Sequence, residues 1–419
     1  MPAVLFTFYF LVLGFWLTRM RLVKGCGIDK PIVLGLFTIK ILAGVAVGLA
    51  SHYILKDKTD YYGTNIYGIQ EYNSLINTPK IFFTDIFSSN YAERGEFFGS
   101  QSSYWNDLRF NIIYKIMAFT NIFSIGNYYI NSVFFNFVGF IGLILLYKVF
   151  IDVYPLKKWA VIIGCFLLPS TLYFGSGIHK DLIVLTALSV FCYALYFGLK
   201  EGFTIKKVGW LIVSFLAILL IRNFIAVILL PCAVTWFISS KYKLSAVKSF
   251  AKLLAAGILG TVALHAISEK LDPLQIVVNK QQAFFALGKA NTDFVMDTLQ
   301  PNIKSFVIQA PDALRHSFLA PYPTEFNNFY MNCFSVEIMV YWLLLLVMLI
   351  TRSSNRKWNT FIIFGIIFTF LIFLFTGYIT PAAGALVRYR SIYFPFLLVP
   401  ILCGINCKKV QNAEKPNTL

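Results

Sequence analysis

The sequence predicts an all-α, polytopic membrane protein, and three observations predict it. Hydrophobic residues make up 58% of the 419 and charged residues only 13%, about half the roughly 25% that a soluble globule carries. The mean hydropathy is +0.71. The apolar residues also fall in runs of roughly 15–25, long enough to span or nearly span a bilayer as helix. A β-barrel would show short alternating segments instead.

In order, the expected spans are Pro2–Thr18, Pro31–Leu55, Tyr128–Tyr147, Trp159–Phe174, Leu182–Leu199, Val208–Ile221, Phe224–Ile238, Ser249–Ile267, Cys333–Ile350, Trp358–Tyr378 and Ser391–Ile405, about eleven in all. No internal repeat, heptad run or low-complexity linker interrupts them, so residues 1–419 read as one integral membrane domain. The first run has no basic stretch before it; its Arg and Lys follow it, which is not the pattern of a cleavable signal. Spans four to seven are short and read as tight hairpins, Trp159–Phe174 containing Pro169. The seven cysteines show no disulfide or zinc spacing and read as small apolar residues.

The net charge of +17 is a topology signal and not a nucleic-acid patch. Loops on one side hold Arg19, Arg21, Lys24, Lys30, then Lys148, Lys157, Lys158, then Lys200, Lys206, Lys207. They continue with Lys241, Lys243, Lys248, Lys252, Arg352, Arg356, Lys357 and the tail Lys408, Lys409, Lys415: twenty cations against four acids, Asp29, Asp152, Glu201 and Glu414. The positive-inside rule makes that side cytoplasmic. The N-terminus is then outside and the C-terminal tail, 406–419, inside a bacterial plasma membrane.

Two long segments remain on the outer side, 56–127 and 268–332. The first carries seven carboxylates, Asp57, Asp60, Glu71, Asp85, Glu93, Glu96 and Asp107. It closes with Asp107–Ser124, where Leu108, Ile112, Ile116, Phe119 and Phe123 recur at helical spacing, the pattern of a helix lying on a bilayer surface. In the second, Pro273–Leu287 and Asn302–Leu319 are candidate helices, followed by an aromatic and proline-rich stretch to Glu325; Glu337 then lies just inside the ninth span.

The outer turns hold cations where the positive-inside preference disfavours them: His179 and Lys180 in Gly-Ser-Gly-Ile-His-Lys-Asp, then Arg222, Arg315, His316, Arg388 and Arg390. A cation deep in a membrane costs roughly 2.5–3.5 kcal/mol on insertion scales, so each needs a partner. Lys40, in mid-span, is buried with a partner or snorkels. Arg388 and Arg390 are two residues apart and can share one anion, and guanidinium matches phosphate geometry. Asp181 can cap the fifth span, and Arg388 can pair with Glu337 or with an acid of the first loop.

These features together resemble the C-type superfamily of membrane glycosyltransferases. Three carry the resemblance: an acidic early loop with membrane-surface helices (Asp57 and Asp60, then Ile81–Phe87 and Asp107–Ser124), short hairpin spans with polar outer turns, and Val-Arg-Tyr-Arg-Ser-Ile-Tyr-Phe-Pro where the last helix opens. The chain departs from the family in placing two spans before the acidic loop, and in having Asp57-Lys-Thr-Asp60 where an adjacent acidic pair would stand. The resemblance implies a polyprenyl-phosphate-linked sugar as donor and a cell-envelope glycan or lipid as acceptor. The resemblance fixes no cofactor and is compatible with a divalent metal.

The chemistry then needs cations to stabilise the departing phosphate and a carboxylate to take the acceptor's proton. Among the acids Asp60 is the favoured base, a few residues past the second span and beside Tyr61 and Tyr62; Glu71 and Asp57 are the reserves. Arg388 is the leading phosphate ligand, with Arg390, Lys180, His179 and Arg222 beside it and Arg315, His316 and Glu337 secondary. Two other readings use the same outer cations: a polymerase or ligase of lipid-linked oligosaccharides, and a lipid-linked glycan flippase. The latter class tends to show internal repeats and midplane charges.

Overall fold

The computed structural model describes residues 2–54, 60–93, 97, 102–268, 271–288, 291–323, 329–351 and 359–406. Its regular structure among these is helical: α1 (Pro2–Arg19), α2 (Arg21–Lys24), α3 (Lys30–Leu49), α4 (Asp60–Asn77), α5 (Pro79–Thr84), α6 (Tyr104–Ser124), α7 (Tyr128–Val153), α8 (Lys158–Phe166), α9 (Pro169–Phe174) and α10 (Lys180–Glu201). The chain continues as α11 (Ile205–Ile221), α12 (Asn223–Lys241), α13 (Ala246–Ile267), α14 (Pro273–Phe285), α15 (Ile303–Leu319), α16 (Phe329–Thr351), α17 (Thr360–Ile379), α18 (Ala383–Ser391) and α19 (Phe394–Gly404).

Among the described residues, eight helices are long and apolar enough to cross a membrane: α1, α3 with its π-helical extension to Ile54, α7, α10, α12, α13, α16 and α17. The pair α18 and α19, bent by 66°, makes a ninth if it counts as one broken span. The protein is therefore a polytopic helical membrane protein. Two further expected spans have other forms. Trp159–Phe174 is divided at Leu167 into α8 and α9, as the proline at 169 dictates. Val208–Ile221 lies in α11, whose 17 residues are at the short end of what a crossing needs.

The chain forms two compact units. The first comprises residues 1–149, 171–195 and 203–223; the second comprises 150–170, 196–202 and 224–419. In the first, α4 and α6 form an antiparallel pair. Gly68 makes their approach close: a Cβ there would lie 2.5 Å from Cβ of Met117. The face of α6 turned inward is Ile113, Met117, Ala118, Asn121 and Ser124. Of the expected apolar stripe, Ile116, Phe119 and Phe123 are exposed, the arrangement a helix at a bilayer surface needs. Lys115 ties the pair to α5. It bonds Glu71 at 2.9 Å and Asp85 at 2.6 Å, and its ammonium sits 4.2 Å from the ring centre of Phe82. A buried asparagine network links the same helices to α7: Asn131 Nδ2 donates to Asn65 Oδ1 at 3.0 Å and to Asn121 Oδ1 at 2.6 Å.

In the second unit, α15 crosses α17 where Gly377 has no side chain; a Cβ there would lie 2.0 Å from the carbonyl oxygen of Ala313. Both candidate helices of the second long segment form with side-chain caps. Asp272 accepts from Leu274 N at 2.9 Å, and Asn302 accepts from Ser305 N at 2.8 Å. Aromatic rings pack α17 against α19 and the residue before it: Phe361 lies against Phe396, and Phe368, stacked on Phe364, against Tyr393.

Candidate functional site

The first unit holds a cluster of buried charges at the start of α10. Asp181, in the first turn of that helix, is 1% exposed. Its Oδ1 accepts from Arg222 Nε at 3.0 Å and from Nη2 at 2.5 Å. His179 Nδ1 lies 3.0 Å from the other oxygen, and the ring of Tyr61 lies tilted against the imidazole, 4.6 Å between centroids. Two of the expected phosphate ligands, His179 and Arg222, thus come together about one carboxylate. That carboxylate is the counter-ion that lets Arg222 sit in an apolar setting, since a buried cation is tolerated when paired. Lys180 is half-buried, its ammonium 5.6 Å from the ring of Phe110.

Lys40 is buried with a partner and does not snorkel. Its ammonium donates to the carbonyl of Gly175 and, at 3.4 Å, to Ser176 Oγ. A lysine in α3 therefore clamps the glycine-rich turn that presents His179 and Asp181. Asn136 of α7 supports the same turn, its Oδ1 accepting from Gly177 N at 3.3 Å. Glu71, a reserve base, is engaged with Lys115. Asp60 opens α4, and its side chain lies outside the described residues, as does Asp57.

The second unit holds a different constellation. Glu337 of α16 is 7% exposed, and its Oε1 accepts from both the backbone N and Oγ of Ser170, each at 2.9 Å, and from the hydroxyl of Tyr341. Arg390 of α18 is 2% exposed and attracts Glu337 electrostatically. Its Nη1 donates to the carbonyl of Ser317 at 3.2 Å, and its guanidinium lies 5.7 Å from the ring centre of Phe394. Among the described residues the Nε and Nη2 donors of Arg390 have no hydrogen-bond partner, an arrangement that buried donors rarely show.

Beside this cation lies an apolar cavity of about 230 Å³, lined from α15, α16, α17 and α19 by Phe318, Ile338, Trp342, Leu345, Met348, Ile366, Phe373, Leu397, Leu398, Pro400 and Ile401, together with Tyr341 and Phe394. The last two belong to both settings: Tyr341 holds Glu337, and Phe394 lies against Arg390. A polar, cationic end and an oily body therefore share two side chains. Arg388 is half-buried on α18, with its guanidinium 5.3 Å from the ring of Tyr389.

Of the secondary candidates, Arg315 is exposed-sided and pairs with Asp312 at 3.2 Å. His316 is 6% exposed and stacks on Phe294 at 4.4 Å. Burial, and then the charge of Arg315, hold its imidazole below the ordinary histidine range, against a smaller opposing pull from Asp312. Among the described residues, no group of three or more His, Cys, Asp and Glu could hold a metal ion.

Sequence reasoning singled out the charged residues but not what surrounds them. Ser170 and Tyr341 as partners of Glu337, and the cavity itself, had only indirect signals: a Pro-Ser step that breaks α8 from α9, and a tyrosine one helical turn after an acid in an apolar run. No protein-family model matches the chain, and no curated protein and no solved structure matches it significantly.

Proposed function

We propose that this chain is a membrane glycosyltransferase that takes a sugar from a polyprenyl-phosphate donor and passes it, with inversion, to a cell-envelope glycan or lipid acceptor on the outer face. The observation that carries the reading is the pairing of Arg390 with the apolar cavity. A buried guanidinium with two donors unspent suits a phosphate oxygen, and the adjacent cavity suits an isoprenoid chain. An amphiphile with an anionic head and a long oily tail meets both demands. Neither a nucleic acid nor a soluble anion uses the cavity.

In this reading Arg390, with Arg388, stabilises the charge that develops on the departing phosphate. Glu337 balances Arg390 in the unliganded protein. Its own oxygen is satisfied by Ser170 and Tyr341, so arrival of a phosphate need not leave it bare. His179, Lys180 and Arg222 remain proposed donor ligands, although Arg222 already spends two donors on Asp181. Asp60 is the proposed base, removing the proton of the acceptor hydroxyl as the new glycosidic bond forms and the phosphate leaves. Glu71 stands behind it because Lys115 holds its carboxylate.

The accompanying topology has eleven spans, with the N-terminus outside, the C-terminus cytoplasmic, and the bacterial plasma membrane as host. The twenty-to-four charge asymmetry of the loops supports it. The test of function is turnover: purified protein in lipid nanodiscs, given polyprenyl-phosphate sugars, should release polyprenyl phosphate and form a product of inverted anomeric configuration. Growth of a long polymer from lipid-linked oligosaccharide would favour a polymerase. Movement of intact lipid-linked glycan between leaflets without release of lipid phosphate would favour a flippase.

A further inference from the structure

The second unit carries another cavity that the proposed donor site does not use. It is a mainly polar cleft of about 230 Å³, walled by Asp297, Gln309, Asp312, His316 and Tyr378 among others. We infer that this cleft is a saccharide-binding site, taking a neutral pyranose through its hydroxyl groups; as an acceptor subsite, the inference rests on the glycosyltransferase reading.

The cleft is built and held. The wall formed by the extended chain around Asp297 is fixed by Gln281, which is fully buried. Its Nε2 donates to the carbonyls of Asp297 at 3.2 Å and Tyr378 at 3.0 Å, and its Oε1 accepts from Leu299 N at 2.8 Å. One side chain thus joins α14, the extended wall and the end of α17. The same wall is stitched to the start of α18: Phe294 N donates to the carbonyl of Pro381, and Ala383 N to that of Thr292, each at 2.8 Å. The opposite wall, α15, is locked where Gly377 meets Ala313, and the hydroxyl of Tyr378 donates to the carbonyl of Phe306 at 2.7 Å. A site positioned by rigid neighbours binds without first ordering its walls.

The lining selects the ligand class. Among its described lining residues two are carboxylates, and the arginine, Arg315, is already paired with Asp312, so an anion is repelled. No metal-holding group is present among the described residues. An apolar ligand would strip water from the carboxylates without replacing it, which is costly. What fits is a neutral molecule dense in hydroxyls, since each hydroxyl both donates to a carboxylate and accepts from an amide. His316 adds to this case. Its Nδ1 is buried and lacks a hydrogen-bond partner among the described residues, and its ring is pinned by Phe294. Its neighbour Ser317 supplies the carbonyl that receives Arg390, so the cleft and the cationic end of the lipid cavity sit on successive residues of α15.

The test uses the full-length protein in nanodiscs and four free sugars: glucose, galactose, mannose and N-acetylglucosamine. Saturation-transfer NMR should detect saturable binding of at least one. Asp297→Asn and Gln309→Ala, each checked for unchanged thermal unfolding, should weaken that binding at least fivefold. Absence of saturable binding by all four sugars overturns the inference, and so does binding that neither substitution alters. Polyprenyl-phosphate binding by the same preparations separates the two ideas. Sugar binding without lipid binding counts against the donor reading and leaves the cleft standing. Lipid binding without sugar binding counts against the cleft alone.

Discussion

Arg222 donates both Nε and Nη2 to a single oxygen of Asp181, at 3.0 and 2.5 Å, and both side chains are buried. The pair closes the turn between α11 and α12 onto the start of α10. Removing one partner of a buried ion pair leaves the other uncompensated, at a cost of about 3–5 kcal/mol. Asp181→Ala should therefore lower the thermal unfolding temperature in detergent sharply. The double variant Asp181→Ala, Arg222→Met should recover much of the loss. Equal unfolding temperatures for wild type and Asp181→Ala would show that the pair does not hold the turn.

Glu71 and Asp60 should separate cleanly. Glu71→Gln removes one of two partially exposed ion pairs of Lys115, so the expected destabilisation is under about 1 kcal/mol, with sugar transfer little changed. Asp60→Asn keeps the shape and removes the proposed base, and should lower turnover by about 10²–10⁴ with donor affinity nearly unchanged. Turnover measured on both purified variants decides between them. A fully active Asp60→Asn moves the role to another carboxylate.

His316 should make the protein less stable in mild acid. Its folded pKa is depressed, chiefly by burial and then by Arg315. Above about pH 6.5, the ordinary histidine value, both folded and unfolded states are neutral there and the group contributes nothing. As pH falls through that value the unfolded state takes the proton first, so stability drops until the folded state protonates too. Unfolding temperatures between pH 7 and pH 5 should fall more for wild type than for His316→Gln. Identical pH slopes would contradict this.

The topology has its own check. A periplasm-active reporter should work when inserted at Gly99 and fail at the C-terminus, and a cytoplasm-active reporter should do the reverse. An externally active C-terminal fusion would invert the arrangement.

Eight of the expected spans appear as long apolar helices among the described residues, and they were legible because their signal is composition over many residues. The boundaries of α14 and α15 were legible because Asp272, Pro273 and Asn302 are starting residues that act locally. The break between α8 and α9 was foreshadowed by Pro169. The apolar stripe of α6 was legible as a bilayer-surface face and is the exposed one; what was not legible is the opposite face, with Met117 and Asn121, which Gly68 draws against α4. Sequence spacing does not say which of two apolar faces a neighbouring glycine will admit. The partners of Lys40 and Glu337 were illegible for a related reason: Gly175 and Ser170 are more than a hundred residues away in sequence, and a backbone carbonyl or a serine carries no signature of its own.

The measurement closest to the central claim is equilibrium binding of radiolabelled polyprenyl phosphate to purified protein in nanodiscs, wild type against Arg390→Gln. A charge-assisted hydrogen bond is worth about 1.5–3 kcal/mol, so the substitution should weaken binding by about 10- to 100-fold, with helix content unchanged and Arg390→Lys intermediate. If Arg390→Gln binds the lipid as tightly as wild type, the buried guanidinium is not the phosphate site and the account fails at its centre.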